Sequence, residues 1–315
     1  MYKIYTISLL LLLVFTISCT DSSTNDGKSE GDKTGKLAIL TTTGMIGSLV
    51  ENIVKDKGVV TSLMGPGVDP HYYKATQGDL KKLTSSDIIF YNGLLLEGKM
   101  QEILEKLAKK KPVYAVARDL QKSELINANE GGSGKAVSDP HIWFDLMLWS
   151  KTIDVVVEGL SKLDAANKAF YEENGNQYRE ELKKTHLLVD KQLKSIPEES
   201  RVLITSHDAF GYFGRAHNIE VMALQGVSTI TEFGLKDVSN LVDEIVKRKI
   251  KAVFVESSVS SKPLEAVLEG CKQKGLDVKI GGELYSDAMG EKGSKGGTHI
   301  GMIKSNAEKI VNALK

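Results

Sequence analysis

The triplet Asp-Pro-His occurs twice, as Asp69-Pro70-His71 in "GVDPHYYKA" and as Asp139-Pro140-His141 in "SDPHIWFD", in a chain with only six histidines. Aspartate is a strong helix N-cap and proline suits the first helical position, so each histidine is expected in the first turn of a helix. A third histidine, His207, closes the apolar run "RVLITSH", and Asp287 follows "VKIGGELY". Imidazole nitrogens and a carboxylate are ligands that divalent transition metals accept, so His71, His141, His207 and Asp287 make a four-ligand set. The competing reading of each histidine, taken singly, is that it caps or satisfies a turn.

Glu232 in "STITEFG" and Glu256 in "FVESS" stand where they could reach the same cleft. Hydrogen bonding behind a ligand, or loop capping, is expected of them rather than ligation. His186 lies mid-helix, His217 where a helix gives way to a strand, and His299 at the start of the C-terminal helix; all three are expected to be structural. "GGSGKA" looks like part of a phosphate-binding loop, but Asn129 occupies its first glycine position and Ala136 its Ser/Thr position. Neither a nucleophile elbow nor His-Glu-x-x-His is present, and no paired general base announces itself.

The elements that must carry these residues follow from the pattern around them. From Lys36 onward, short β-rich runs ("KLAIL", "VVTSLM", "DIIFYNG", "PVYAVA") alternate with helical stretches, and "RVLITSH", "IEVMAL", "KAVFVES" and "LDVKIGGELY" repeat the pattern later. Such alternation indicates parallel sheets of about four strands in each half. Residues 164–196, free of proline and dense in Glu, Lys and Leu, read as one helix of roughly 30 residues, about 45 Å long. Pro197 ends it, and Gly175 weakens its first third. The expected architecture is α/β: two lobes, residues 36–163 and 197–315, each with a roughly four-stranded parallel sheet, linked by one long α-helix over 164–196. Ligands of open α/β sheets bind beyond the carboxyl ends of the strands. His71, His207 and Asp287 fall there, and His141 ends the long loop "NANEGGSGKAVSD". Two ligands come from each lobe.

The first twenty residues stand apart from the globule. "MYKIYTISLLLLLVFTISCT" has a basic Lys3, an apolar core too short for a comfortable membrane span, and Cys19 behind a small residue. It resembles a bacterial lipoprotein signal over 1–18, departing at Thr16 where leucine is preferred, with Cys19 lipidated. Residues 19–35 are polar and are expected to be a flexible tether. The only other cysteine, Cys271, is expected to be a small buried apolar residue. Lys+Arg and Asp+Glu both number 41, which argues against nucleic-acid binding.

With these motifs in place, the chain resembles the metal-binding solute receptors of bacterial zinc and manganese ABC importers, the TroA-like lipoproteins. "GVDPHYY", "YNGLLLE", "DPHIWFD", "ITSHDAFGYF", "QGVSTITE", "VFVESSV", "LYSDAMG" and "THIGM" carry the likeness from about Lys36 to the C-terminus. The resemblance implies two α/β lobes, a rigid linking helix, and a metal held by His71, His141, His207 and Asp287, without catalysis. It implies a monomer at the periplasmic or outer cell surface, anchored in membrane lipid through Cys19, that delivers zinc, manganese or iron to a membrane permease. Dedicated zinc receptors often carry a histidine-rich loop before the second ligand, which is absent here. Dedicated manganese receptors commonly have glutamate where this chain has His207. The rival functions are a lipid-anchored zinc enzyme, which would keep an open water site, and a surface adhesin, which needs no converging ligands.

Overall fold

The computed structural model describes residues 35–129 and 136–315; the lipoprotein signal, Cys19 and all but the last residue of the tether lie outside them. Four strands alternate with three helices in the first part: β1 (Leu37–Thr41), α1 (Gly44–Val54), β2 (Gly58–Ser62), α2 (Gln77–Ser85), β3 (Ile88–Tyr91), α3 (Gln101–Ala108) and β4 (Val113–Ala115). They form one parallel sheet in the order β2-β1-β3-β4. The expected loop before His141 contains a small antiparallel hairpin, β5 (Asn127–Asn129) with β6 (Ala136–Ser138). Its strands are three residues each, too short to register as alternation in the sequence.

Helices α4 (Leu146–Trp149) and α5 (Ile153–Leu163) lead into α6 (Lys168–Leu193), which is the linking helix. At 26 residues it spans about 39 Å and is shorter at both ends than residues 164–196, because Ala165–Asn167 form a separate 3-10 turn and the backbone turns after Leu193. One stripe is buried: Tyr171, Asn174, Gly175, Tyr178, Leu182, Thr185, Val189 and Leu193. The three- and four-residue spacing of that stripe is what turns one face of a long polar helix into a packing surface. Gly175 serves packing here. A Cβ there would come within 2.9 Å of Ile153 and 3.0 Å of Val157, so glycine lets α5 and α6 approach closely.

The second lobe holds β7 (Val202–His207), α7 (Gly211–His217), β8 (Glu220–Gln225), α8 (Leu235–Arg248), β9 (Ala252–Glu256), α9 (Lys262–Gln273), β10 (Lys279–Leu284) and α10 (His299–Leu314). Its four strands form two hydrogen-bonded parallel pairs, β7–β8 and β9–β10, with β7 lying against β9. Every residue of β7 is buried, which explains its unbroken apolar run.

The core joins the lobes. One cluster runs from Ile39, Ile46 and Phe90 through Trp143, Trp149 and Tyr178 to Phe254, Leu284 and Met302. Each sheet also covers its other face separately: Leu40, Leu83, Ile89 and Leu104 in the first lobe, and Ile204, Val242, Val253 and Leu264 in the second. Cys271 is free and buried in that second cluster, as expected of a small apolar residue.

Candidate metal centre

The local structure around each ligand comes first. In both Asp-Pro-His triplets the aspartate folds back onto the histidine: Asp69 Oδ1 accepts from His71 N at 2.8 Å, and Asp139 Oδ1 from His141 N at 2.9 Å. Proline fixes the intervening φ, so the motif closes a tight side-chain-to-backbone turn. This corrects the helical expectation. His71 sits in a turn six residues before α2, whose N-cap is Thr76, and His141 precedes only a 3-10 turn, Ile142–Phe144. The aspartate's capping tendency is satisfied two residues on, before any helix can start.

His207 is the last residue of β7, and Asp287 lies three residues beyond β10. The four side chains converge, and one ligand atom from each lies within 4.8 Å of all the others. All four are buried, none more than 3% exposed. His71 Nε2 is 3.4 Å from His141 Nε2 and 3.5 Å from Asp287 Oδ2. His207 Nε2 is 3.3 Å from Asp287 Oδ2, and His141 Nε2 is 3.3 Å from Asp287 Oδ1. Ligands about 2.0–2.1 Å from a tetrahedral ion stand roughly 3.3–3.4 Å apart, close to the four separations of 3.3–3.5 Å found here. Asp287 turns one oxygen to His141 and the other to His71 and His207, which also permits two-oxygen ligation.

Charge inside this cage is arranged for a cation. Both carboxylate oxygens of Asp287 and Nε2 of His207 are buried without a hydrogen-bond partner. Burial alone would raise the Asp287 carboxyl, but His207 and then His141 outweigh it and hold it well below the carboxylate range. Burial likewise opposes charge on His141, yet Asp287 and then Asp139 push it up to about 9. His207 is raised well above its ordinary value against burial by Glu256 and Asp287. Burial takes His71 down to about 3; Asp287 opposes the fall, while His141 and His207 add to it. The carboxylates around the cage thus favour positive charge at His141 and His207, the place an ion's charge would take.

The far nitrogens are held too. His141 Nδ1 lies 2.7 Å from Asp139 Oδ1, and His207 Nδ1 lies 2.6 Å from Glu256 Oε2. Glu256 also accepts from His207 N at 2.9 Å, so its carboxylate meets both the ring and the backbone of His207. Glu232 is exposed and makes none of these contacts. The role of Asp139 was hidden in the triplet, where aspartate reads first as a helix cap. Trp143 was also missed. Its Nε1 donates to Ser286 O beside Asp287, at 3.1 Å, and its ring lies 5.2 Å from that of His141. Only its buried position reveals this, because an aromatic residue after the triplet reads as core.

The remaining histidines stay outside the cage. His299 Nε2 donates to Trp143 O at 2.8 Å, and His186 stacks on His217 with ring centres 5.0 Å apart. Contacts across the cleft tie the lobes at the site's rim: Thr229 donates to Asp69 Oδ2 at 2.7 Å, and Tyr212 donates to Asp139 O at 2.9 Å.

Two α/β lobes on a linking helix, with a buried three-histidine, one-aspartate cage between them, define a receptor for a metal ion. The chain belongs to the family of the periplasmic zinc-uptake complex component A, ZnuA, whose pattern matches residues 39–313. It is 46% identical to the manganese-binding lipoprotein MntA of Bacillus subtilis (strain 168) over 304 residues, 96% of this chain and 97% of that one. It is 43% identical over 288 residues to the zinc-binding protein TroA of Treponema pallidum (strain Nichols), 91% of this chain and 92% of that one. The solved structure of the Treponema protein superposes with a TM-score of 0.85, covering 89% of this chain and 99% of the other. The resemblance read from the motifs therefore holds.

Proposed function

We propose that the protein is the extracytoplasmic solute-binding lipoprotein of a metal ABC importer, which captures one divalent transition-metal ion between its lobes and hands it to the membrane permease. His71, His141, His207 and Asp287 are the ligands. The observation that carries this assignment is the convergence of the buried Asp287 carboxylate with three buried imidazoles at 3.3–3.5 Å. Such a cluster of acceptor nitrogens and a carboxylate is costly to bury unless positive charge, from an ion or from protons, compensates it.

The cargo is zinc or manganese, with iron as the third candidate. One close relative is named for manganese and another for zinc. Three nitrogen ligands favour zinc in intrinsic affinity, and the second oxygen of Asp287 gives a higher-coordinate ion an additional donor. Residues 36–163 and 197–315 act as the two lobes with α6 between them. Their shared core restricts the opening to a small displacement. Cys19 carries the lipid, the protein works as a monomer, and its charge balance gives nucleic acid no foothold.

The cage is not built for hydrolysis. A catalytic zinc keeps one position for water, and here Asp287 occupies the fourth. The adhesin reading leaves the converging buried ligands without a purpose. Elemental analysis of protein purified without chelator tests the assignment: about one transition-metal ion per chain is expected, and none, with no uptake on adding zinc or manganese, overturns it.

A further inference from the structure

The stretch "YNGLLLE" plays no part in ligation, yet it holds the most strained backbone in the described chain. Gly93, Leu94 and Leu95 have φ of 83°, 54° and 66°, three left-handed residues in succession. Left-handed conformation in L-residues occurs as isolated positions because Cβ crowds the following carbonyl. Among the described residues, the other non-glycine cases are Lys55, Asn218 and Lys249, each at the end of a helix. The leucine pair caps nothing.

The turn is pinned from beneath. Glu97 is buried, and its carboxylate accepts from Thr42 Oγ1 at 2.6 Å, Asn92 N at 2.7 Å and Gly93 N at 3.3 Å. Asn92 is also buried, and its side-chain nitrogen donates to Pro140 O at 3.0 Å, the carbonyl directly before His141. Above the turn, Leu94 and Leu95 join His71, Pro140, Val227 and Ser228 around a small recess. The recess has one wall from each lobe and reaches a ligand histidine. One buried network thus connects the strained turn to the residue before His141, and His71 lines the recess above it.

We propose that Gly93–Leu95 is a strained clasp: its relaxation opens the recess over His71 and, through Asn92, loosens the His141 turn, setting the rate at which the ion leaves. Strain of this kind persists only where surrounding contacts enforce it, and here Glu97 enforces it. The stored energy biases the site toward release without weakening any metal–ligand bond. Asn92 and Glu97 are positioning residues, acting on the ion only through the turn and the His141 carbonyl neighbour. The proposal rests on the assignment of the four ligands above.

Leu95 offers a clean test because its side chain is 55% exposed, so substitution costs little packing. Leu95→Gly and Leu95→Asn relieve the left-handed conformation, whereas Leu95→Val, being β-branched, worsens it. The full chain loaded with zinc is mixed with excess chelator and the release rate followed, beside the urea midpoint of each metal-free variant. The expected release order is Val, then Leu, then Asn and Gly together, spanning about tenfold, with one zinc per chain throughout. Asn92→Ala should also release faster at unchanged stoichiometry. Equal release rates across the Leu95 series overturn the clasp even if the urea midpoints follow the strain, because a static turn affects folding alone. An unchanged rate in Asn92→Ala overturns the link to His141. Failure of the ligand assignment would look different, since the unsubstituted chain would hold no zinc to release.

Discussion

Glu256 Oε2 lies 2.6 Å from His207 Nδ1, on the side of the imidazole opposite the 3.3 Å approach of Nε2 to Asp287. Asp139 stands in the same relation to His141, at 2.7 Å. Two of the three histidines are thus held by a carboxylate behind and face another in front. The arrangement fixes the tautomer that points a lone pair into the cage and raises ligand basicity.

Glu256→Gln should therefore lower metal affinity by about 10–100-fold while leaving one site per chain, because His207 keeps its place but loses its anionic support. Competition with a calibrated chelator measures this. An unchanged affinity would mean that the carboxylate does not act on the ligand.

Asp287→Ala should weaken binding far more than loss of a neutral ligand does, since it removes the cage's own negative charge from a desolvated site. Isothermal titration with zinc and with manganese reads the effect. Retention of the original affinity for both ions would refute the ligand assignment.

Binding should expel protons. His141, held at about 9, and His207, held higher than usual, carry protons at neutral pH that a metal must displace. Affinity should rise with pH toward 9, and the heat of binding at pH 7 should scale with the ionisation enthalpy of the buffer. For the metal-free protein the signs run separately. His141's raised value contributes stability that is complete below its unfolded value of 6.5 and fades as pH climbs to about 9. His71, lowered to about 3, costs stability as pH falls below 6.5. Asp287's lowered value contributes stability present above 3.8 and lost on further acidification. As far as these groups decide it, metal-free unfolding midpoints should peak near pH 6.5, and a plateau continuing to pH 9 would contradict the His141 pairing.

His207→Glu should narrow zinc's preference over manganese, because it exchanges a nitrogen donor for a harder oxygen donor and adds charge. The measurement is competition between the two ions at one pH and known free concentrations. A ratio that stays constant or rises would place His207 outside the coordination sphere.

Cys19→Ala should free the protein from membranes without altering metal affinity, since one lipidated residue sets location and stands apart from the cage. Fractionation and metal titration of the same preparation check both halves. Continued membrane retention would point to an uncleaved N-terminal segment.

The four converging residues could be found from type and spacing. The repeated Asp-Pro-His, and the placement of His207 and Asp287 just past buried apolar runs, reflect local rules that a linear pattern records. The two α/β halves and the long α6 were legible for the same reason, since strand and helix periodicity are properties of neighbouring residues. Distances between residues remote in the chain leave no such trace. Asp139 behind His141, Glu256 rather than Glu232 behind His207, and Trp143 against Ser286 depend on how two lobes pack around one core. The carboxylates at 232 and 256 look alike in sequence, and burial alone separates them. Gly175 read as a helix weakness and proved to be where α5 and α6 meet, and the left-handed leucines carry no compositional mark at all. Chemistry-bearing types and periodicity are local properties; tautomer, strain and charge balance arise only when the whole chain closes around them.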